Sequence, residues 1–303
     1  VLRRVAIVTD GPGWHGCRLV RAFRARGFEA VYVRLRDCRF DLSCSWHGIV
    51  MPGFGQRLPD GVFVKSVPGG TLEQVVLRLD ILHALREVGV PVYNDARAIE
   101  RTVDKAMTSF LLRRAGVPTP PTWVVETRDK ARAVLLKETA AGHRVVIKPL
   151  FGSQGSGLRL LSAGMDVPDL AQYQGVAYLQ RYIDSGEGRW HDYRVFVIGG
   201  SAAAAMRRWG VCWISNAARG ARCEAVEPTP ALAQLACDAA RAVGADYAGV
   251  DIVVDRQGDA YVIEVNGMPA WRSLQSVTRI NLARCLVEDF VSRCVAPRLE
   301  AAC

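Results

Sequence analysis

Apolar and polar residues along this chain fall into strand-like runs separated by helical stretches. Residues 4–9 (RVAIVT) form a short apolar run of the kind buried in a sheet; the loop 10–16 (DGPGWHG) follows, then a helix over 17–26. Strands are expected at 29–35 and 48–51, so the chain opens as a βαβ unit, while 52–71, rich in Pro and Gly, reads as a loop. Leu72, Val75, Val76, Leu79 and Leu82 recur at helical spacing through 72–88, and Gly89 stands where a helix C′ residue would. A strand at 90–94, a helix from Ala96 capped by Asp95, and a helix over 104–115 stopped by Gly116 lead to Pro118, Pro120 and Pro121 at a domain junction.

Beyond the prolines, strands are expected at 122–125, 144–150, 158–161 and 176–183, with an amphipathic helix over 129–141. Residues 192–198 and 201–208 pair as a hairpin across Gly199-Gly200, and 209–228 reads as irregular. A helix over 229–243, ended by Gly244, precedes a second hairpin of 248–254 and 260–266, whose turn is DRQGD; a helix over 281–295 follows. This alternation predicts the α/β (α+β) class. With 303 residues, half of them hydrophobic, the chain suffices for two or three small domains.

The last hairpin carries the chemistry. A register centred near Gln257 sets Asp251 opposite Glu264, and the period of two puts Glu264 and Asn266 on that face, with Ile263 and Val265 turned into a core. Two carboxylates and a carboxamide oxygen are hard ligands suited to Mg²⁺ that also takes water and substrate phosphates. Upstream, Lys148 ends an apolar strand and precedes a loop with glycines at 152, 155 and 157. A strand lysine is costly to bury without an anion, and glycine-rich turns present backbone N–H groups, so the pair reads as a phosphate clamp. It is not a Walker A loop, where the lysine follows the glycines. Asp192 and Arg194 share a strand face and can enter one cleft. Residues 180–183 (QRYI) end a strand where backbone groups could meet a base. Lys105, at the start of its helix, gains weight only from this company.

Composition narrows the classes. No window of 18 uncharged apolar residues appears and the first residues lead straight into a strand, so a cytoplasmic protein is expected. The nine cysteines (17, 38, 44, 212, 223, 237, 285, 294, 303) are scattered without a CxxC pair, which argues for reduced thiols. The net charge of +9 is almost wholly arginine, with no basic run interleaved with aromatics, so an acidic substrate is favoured over nucleic acid. Arg207, Arg208, Arg219, Arg222, Arg272 and Arg279 are candidates for acidic acceptors. The GPGWHG stretch does not match a dinucleotide fingerprint, though a nicotinamide-binding module stays an alternative.

In order, Lys105, IKPLFGSQGSG (147–157), the strand ending QRYI, Asp192-x-Arg194, Ser215-Asn216, AGVDI (248–252) and EVN (264–266) resemble the ATP-grasp superfamily. Within it, the chain resembles the ribosomal protein S6 glutamate ligase (RimK) type and its relatives that extend carrier proteins or coenzymes. The resemblance implies an ATP-grasp fold: a Rossmann-like preceding domain over 1–95, a lid subdomain over 96–180 and a large subdomain over 181–303. It further implies that Lys105 and Lys148 contact ATP phosphates beneath a loop of Gly152, Ser153, Gln154, Gly155 and Gly157. Gln180, Arg181 and Tyr182 would lie at adenine and Asp192 near the ribose, with Ser215 and Asn216 beside the nucleotide. Asp251, Glu264 and Asn266 would hold one or two Mg²⁺, Mn²⁺ being an alternative, and Arg194 would face the reacting carboxylate and γ-phosphate. The implied activity is amide formation between an amino acid such as glutamate and an acidic small-molecule, peptide or carrier-protein acceptor, through an acyl phosphate. No membrane is implied, and a homo-oligomer is left open. Arg181 (commonly an acid), Ile214 (often arginine) and Gly267-Met-Pro-Ala-Trp271 (usually Ser-Pro-Gly) depart from the pattern. A non-catalytic scaffold of the same fold is the other alternative.

Overall fold

The first elements in chain order are β1 (Arg3–Val8), α1 (Gly13–Ala25), β2 (Phe28–Val33), a short antiparallel pair β3 (Arg39–Phe40) and β4 (Ile49–Val50), β5 (Gly61–Val64), α2 (Leu72–Glu87) and β6 (Val92–Tyr93). The structure is a computed structural model describing residues 3–43, 45–152, 155–186, 190–214 and 220–295. Four of these strands form a parallel sheet in the order β2-β1-β5-β6. Three expectations are corrected here. The run GVFV, with all four residues buried, is a strand at the middle of the sheet although the Pro- and Gly-rich residues around it read as loop. Residues 48–51 join β3 in a separate ribbon. Helix α1 begins at Gly13, so Trp14 and His15 lie in its first turn; Pro12, whose ring fixes φ near the helical value, precedes it. Helix α2 exists as expected, with a capping box between Thr71 and Gln74, but buries Ile81, Leu82 and Leu85 and leaves Leu72 and Val76 exposed.

Helices α3 (Ala96–Val103) and α4 (Lys105–Arg114) follow, capped by Asp95 and Asp104. Next come β7 (Thr122–Val125), α5 (Arg128–Ala140), β8 (Val145–Lys148), β9 (Arg159–Leu161) and β10 (Ala177–Arg181), whose strands form an antiparallel sheet in the order β7-β10-β8-β9. Ala131 and Leu135 of α5 pack on Val145, Ile147 and Leu179 of that sheet.

The third sheet, in the order β13-β12-β11-β14-β15, comprises β11 (His191–Ile198), β12 (Ser201–Trp209), β13 (Arg222–Val226), β14 (Tyr247–Val254) and β15 (Ala260–Asn266). Strand β13 was not expected; it is short, with Arg222, Glu224 and Ala225 exposed and only Cys223 and Val226 packed against the core. Helix α6 (Pro230–Val243) packs its alanines on this sheet and stops at Gly244, whose φ of +77° is the left-handed C′ conformation. Short α7 (Arg272–Val277) and then α8 (Leu282–Phe290) follow, and a wider helical turn over Val291–Val295 continues α8 to the end of the described chain, as the expected helix over 281–295 requires.

One apolar cluster joins the first sheet to the last helices. Phe23 meets Phe28, Phe63 and Phe290 edge-on at centroid distances of 6.3, 6.2 and 5.4 Å, and Tyr93 stacks on Tyr247 at 5.2 Å. Each such pair adds about 0.5–1.5 kcal/mol beyond its burial. Gly61 is required by this packing, since a β-carbon there would lie 2.6 Å from the Phe290 ring. Asn94, fully buried, donates to the carbonyls of Tyr247 and Gly267 and accepts from the N–H groups of Asp246 and Tyr247. It ties the end of β6 to both flanks of the last hairpin.

Among the described residues no helix is long and apolar enough to cross a membrane. The described cysteines are free thiols, as their spacing predicts; Cys44 and Cys303 lie outside the described residues.

Candidate active site

Strand β8 pairs with β10 so that Lys148 stands opposite Tyr178, and β14 pairs with β15 so that Asp251 stands opposite Glu264. The second and third sheets thereby face one another across a cleft. Its walls include Lys105, Lys148, Gly152, Gly155, Gln180, Arg181, Tyr182, Asp192, Asp251 and Glu264, brought together from six separate stretches. Arg194, Gly157 and Asn266 stand behind this lining. Ser153, Gln154, Ser215, Asn216 and Arg219 lie outside the described residues.

The two lysines are held differently. Lys105 donates to the carbonyls of Leu150 (3.3 Å) and Gly152 (2.8 Å), fixing the entry of the glycine loop to α4. Lys148 donates to Oε1 of Gln180 at 2.7 Å. An ammonium only donates, so the Gln180 oxygen must face it. The amide nitrogen then donates to Tyr178 Oη (3.0 Å) and Thr122 Oγ1 (3.1 Å). Burial pushes the Lys148 ammonium down to about 8; Glu264 and Asp251 oppose that shift and Lys105 adds to it. Burial also lowers Lys105, against the charges of Glu264 and Asp104. Two desolvated cations are therefore set beside Glu264, awaiting further negative charge.

On the opposite wall, Arg208 chelates Asp192 through Nε (2.6 Å) and Nη2 (2.7 Å) and reaches Asp251 Oδ2 at 3.0 Å. Arg194 donates to both oxygens of Asp251 through Nε and Nη2. Burial alone would raise the Asp251 carboxyl, but the charges of Arg194 and Arg208 and their hydrogen bonds prevail and hold it below the usual carboxylate range. The Arg208 guanidinium, though desolvated, is held charged by Asp251 and Asp192. Arg208 is thus part of the wall, which corrects its expectation as an acceptor-binding arginine. Arg207, by contrast, stacks between Tyr193 and Trp209 at 5.1 and 5.2 Å.

The residues are a fair match for a divalent cation. Glu264 makes no hydrogen bond or ion pair with the described residues, and Asn266 donates weakly to the Gly249 carbonyl (3.4 Å), leaving Oδ1 as an available ligand. Asp251 accepts three N–H bonds, one fewer than its two oxygens can take. Among the described residues no cluster of three His, Cys, Asp or Glu side chains forms a metal site, so this donor set needs substrate oxygens and water to complete a shell. The expected inward turn of Ile263 is corrected. The register shifts between Asp251 and Ile252, which pairs with Val262; this bulge turns Ile263 into the cleft beside Glu264, while Val262 and Val265 fill the core.

Arg181 departs from the expected acid because its side chain leaves the cleft. It chelates buried Glu138 of α5 through Nε (2.7 Å) and Nη2 (3.2 Å). Only its backbone remains available to a ligand. Trp190, to which the sequence reading gave no role, and Trp213, in the stretch read as irregular, line the same end, Trp213 lying edge-on to Tyr182 at 6.1 Å.

A family model for the RimK-like ATP-grasp domain matches residues 102–290. The tetrahydromethanopterin:alpha-L-glutamate ligase of Methanococcus maripaludis is 34% identical over 233 residues, spanning 75% of this chain and 77% of that protein. The alpha-aminoadipate–LysW ligase LysX of Saccharolobus solfataricus is 29% identical, spanning 67% and 75%. Among solved structures, the ATP-grasp ligase PsnB in complex with a phosphomimetic variant of its minimal precursor, Mg and ADP superposes with a TM-score of 0.73 at 21% identity, covering 95% of this chain and 97% of that one.

Proposed function

The chain belongs to the RimK-like ATP-grasp family, and from that premise we propose how its cleft joins an amino acid to an acidic acceptor. It is an ATP-dependent carboxylate–amine ligase of ATP-grasp fold. The observation that carries the residue assignment is the convergence of Lys105, Lys148, Glu264 and Asp251 on one cleft whose other end is the 180–182 backbone. Residues 1–95, 96–180 and 181–303 are assigned as preceding domain, lid and large subdomain, a division supported by the three separate sheets.

In this assignment the base of ATP lies against the backbone of Gln180, Arg181 and Tyr182, with Asp192 toward the ribose. Lys105 and Lys148 meet the phosphates under the Gly152–Gly157 loop. Asp251, Glu264 and Asn266 hold one or two Mg²⁺, or Mn²⁺ in its place; when bound, the metal withdraws charge from the phosphates. A substrate carboxylate oxygen attacks the γ-phosphorus as the bond to ADP breaks, giving an acyl phosphate. The amine then attacks the acyl carbon, phosphate departs, and the nitrogen loses a proton. Arg194, bonded to Asp251, is assigned the role of orienting the carboxylate, and no side-chain nucleophile is required. Acceleration comes from positioning and from cations fixed before the charge develops.

Glutamate is the proposed amino acid and an acidic coenzyme, peptide or carrier protein the acceptor, supported by relatives named for glutamate ligation and for a LysW carrier. The work is assigned to the cytoplasm. The dinucleotide alternative is set aside, because the RimK-like ATP-grasp model matches residues 102–290. The test is Mg²⁺-dependent ADP release across amino acids paired with acidic acceptors. Release should require one of each and should vanish in Glu264→Gln; failure of the chain to bind ATP would overturn the proposal.

A further inference from the structure

The parallel sheet changes direction between its two central strands: the chain leaves β1 toward β2 on one side and returns to β5 on the other. At such a switch point the loops beyond the strand ends diverge and open a crevice, the usual ligand position in open α/β sheets. The loops that leave β1 and β5 at this switch point are residues 9–12 and 65–70. The mouth between them is braced by Ser66 Oγ donating to Thr9 Oγ1 (3.2 Å) and by Thr9 donating to the Gly11 carbonyl (2.9 Å).

Three groups that attract anions meet there. Lys65 follows β5 directly, partly buried, with its ammonium 5.4 Å from the Trp271 ring centroid and no hydrogen bond or ion pair to a described residue. The only acid on the two loops, Asp10, is exposed and does not pair with it. His15, in the first turn of α1, packs edge-on against Trp271 at 4.5 Å and accepts the Trp271 backbone N–H at Nε2 (3.2 Å). An acceptor nitrogen carries no proton, so the ring proton sits on Nδ1 and is free to donate. Arg272 is the next residue along, exposed, and near enough for its charge to act on the His15 ring. Burial, then Lys65, then Arg272 hold His15 neutral, its pKa pushed down to about 4; burial brings Lys65 down to about 8. A desolvated ammonium without a counter-ion is costly, and an anion supplied from outside removes that cost. Lysine is sparse in this arginine-rich chain, and apart from Lys65 its partly buried lysines are the pair in the cleft.

The crevice also adjoins the reaction centre. The loop 267–271 leaves Asn266, passes Pro269 beside Arg194 at Gly249, and ends at Trp271. Trp271 lies two residues beyond Pro269, at most about 7 Å of chain.

We infer that this switch-point crevice is an anion subsite in which Lys65, Arg272 and the Nδ1–H of His15 hold a carboxylate or phosphate of one ligated substrate, away from the bond being formed. The inference rests on the ligase assignment. Calorimetry on the full chain with ADP and Mg²⁺ tests it, using L-glutamate, glutarate and inorganic phosphate as separate titrants. At least one should bind wild type and weaken tenfold or more in Lys65→Gln and in Arg272→Gln, with recovery in Lys65→Arg and ADP affinity unchanged throughout. A response to glutamate or glutarate names the anion a carboxylate, and a response to phosphate alone names it a phosphate. No saturable binding of any titrant, or equal binding to wild type and both neutralised variants, overturns the subsite. Loss of ADP binding by wild type would instead strike the ligase assignment.

Discussion

Replacing Arg208 by methionine tests whether the buried charge network is built as described. The Arg208 side chain is 4% exposed and those of Asp192 and Asp251 5% each, so the three charges share one desolvated wall. Methionine keeps much of the apolar volume but withdraws three N–H bonds, leaving Asp192 without its chelating partner and Asp251 with Arg194 alone. Breaking one side of a buried pair costs about 3–5 kcal/mol, and the surviving Arg194 places the expected loss at about 3 kcal/mol. For a urea slope of about 1–3 kcal/mol/M, the midpoint falls by about 1 M or more. The loss also has a pH signature. A carboxyl depressed in the fold contributes stability above its unfolded pKa of about 3.9, and that contribution fades as pH falls through the folded value. Because Arg194 and Arg208 depress Asp251, the gap between wild type and variant should be widest near neutrality and close as pH drops below about 4. Urea unfolding followed by circular dichroism at both ends of that range gives the answer. A loss under about 1 kcal/mol, or a gap that holds constant into acid, would refute the network.

Three other outcomes follow from the same geometry. In Lys148→Met, ADP release should be lost; because burial lowers this ammonium to about 8, its penalty is full below that pH and gone above the unfolded value of about 10.4. Wild type should therefore gain stability over the variant as pH rises through that window in thermal melts. Arg181→Ala should cost about 2–3 kcal/mol by stranding buried Glu138, while KM for ATP stays within about twofold, since the side chain faces α5. Asn94→Ala should cost about 3–4 kcal/mol in urea melts, because four backbone groups, three of them in buried bonds, lose their partner at once.

What the sequence made legible was local. Asp251 opposite Glu264 could be read because β-branched residues flank a short turn and the side-chain period is two, and Asp95 and Gly244 announced their helix ends. Ile263 could not be placed, since a bulge changes the phase without changing composition. β5 was hidden because a four-residue buried strand set among Pro and Gly has no room to display a period. The rest depends on residues far apart in sequence. Arg208 read as a candidate for an acidic acceptor until β11 and β14 brought Asp192 and Asp251 to it, and Asn94 met its partners some 150 residues away. Arg181 departed from the family pattern for a reason visible only in the fold, namely Glu138.

The shared aromatic cluster sets a schedule for the chain's synthesis. Phe23, Phe63 and Tyr93 are made early, yet Tyr247 and Phe290, which close over them, come about 200 residues later. At about 5–20 residues per second, the ribosome leaves that aromatic face uncovered for about 10–40 s. The first sheet can pair its strands in that interval but cannot finish its core, so the nascent chain offers chaperones a binding face until α8 emerges.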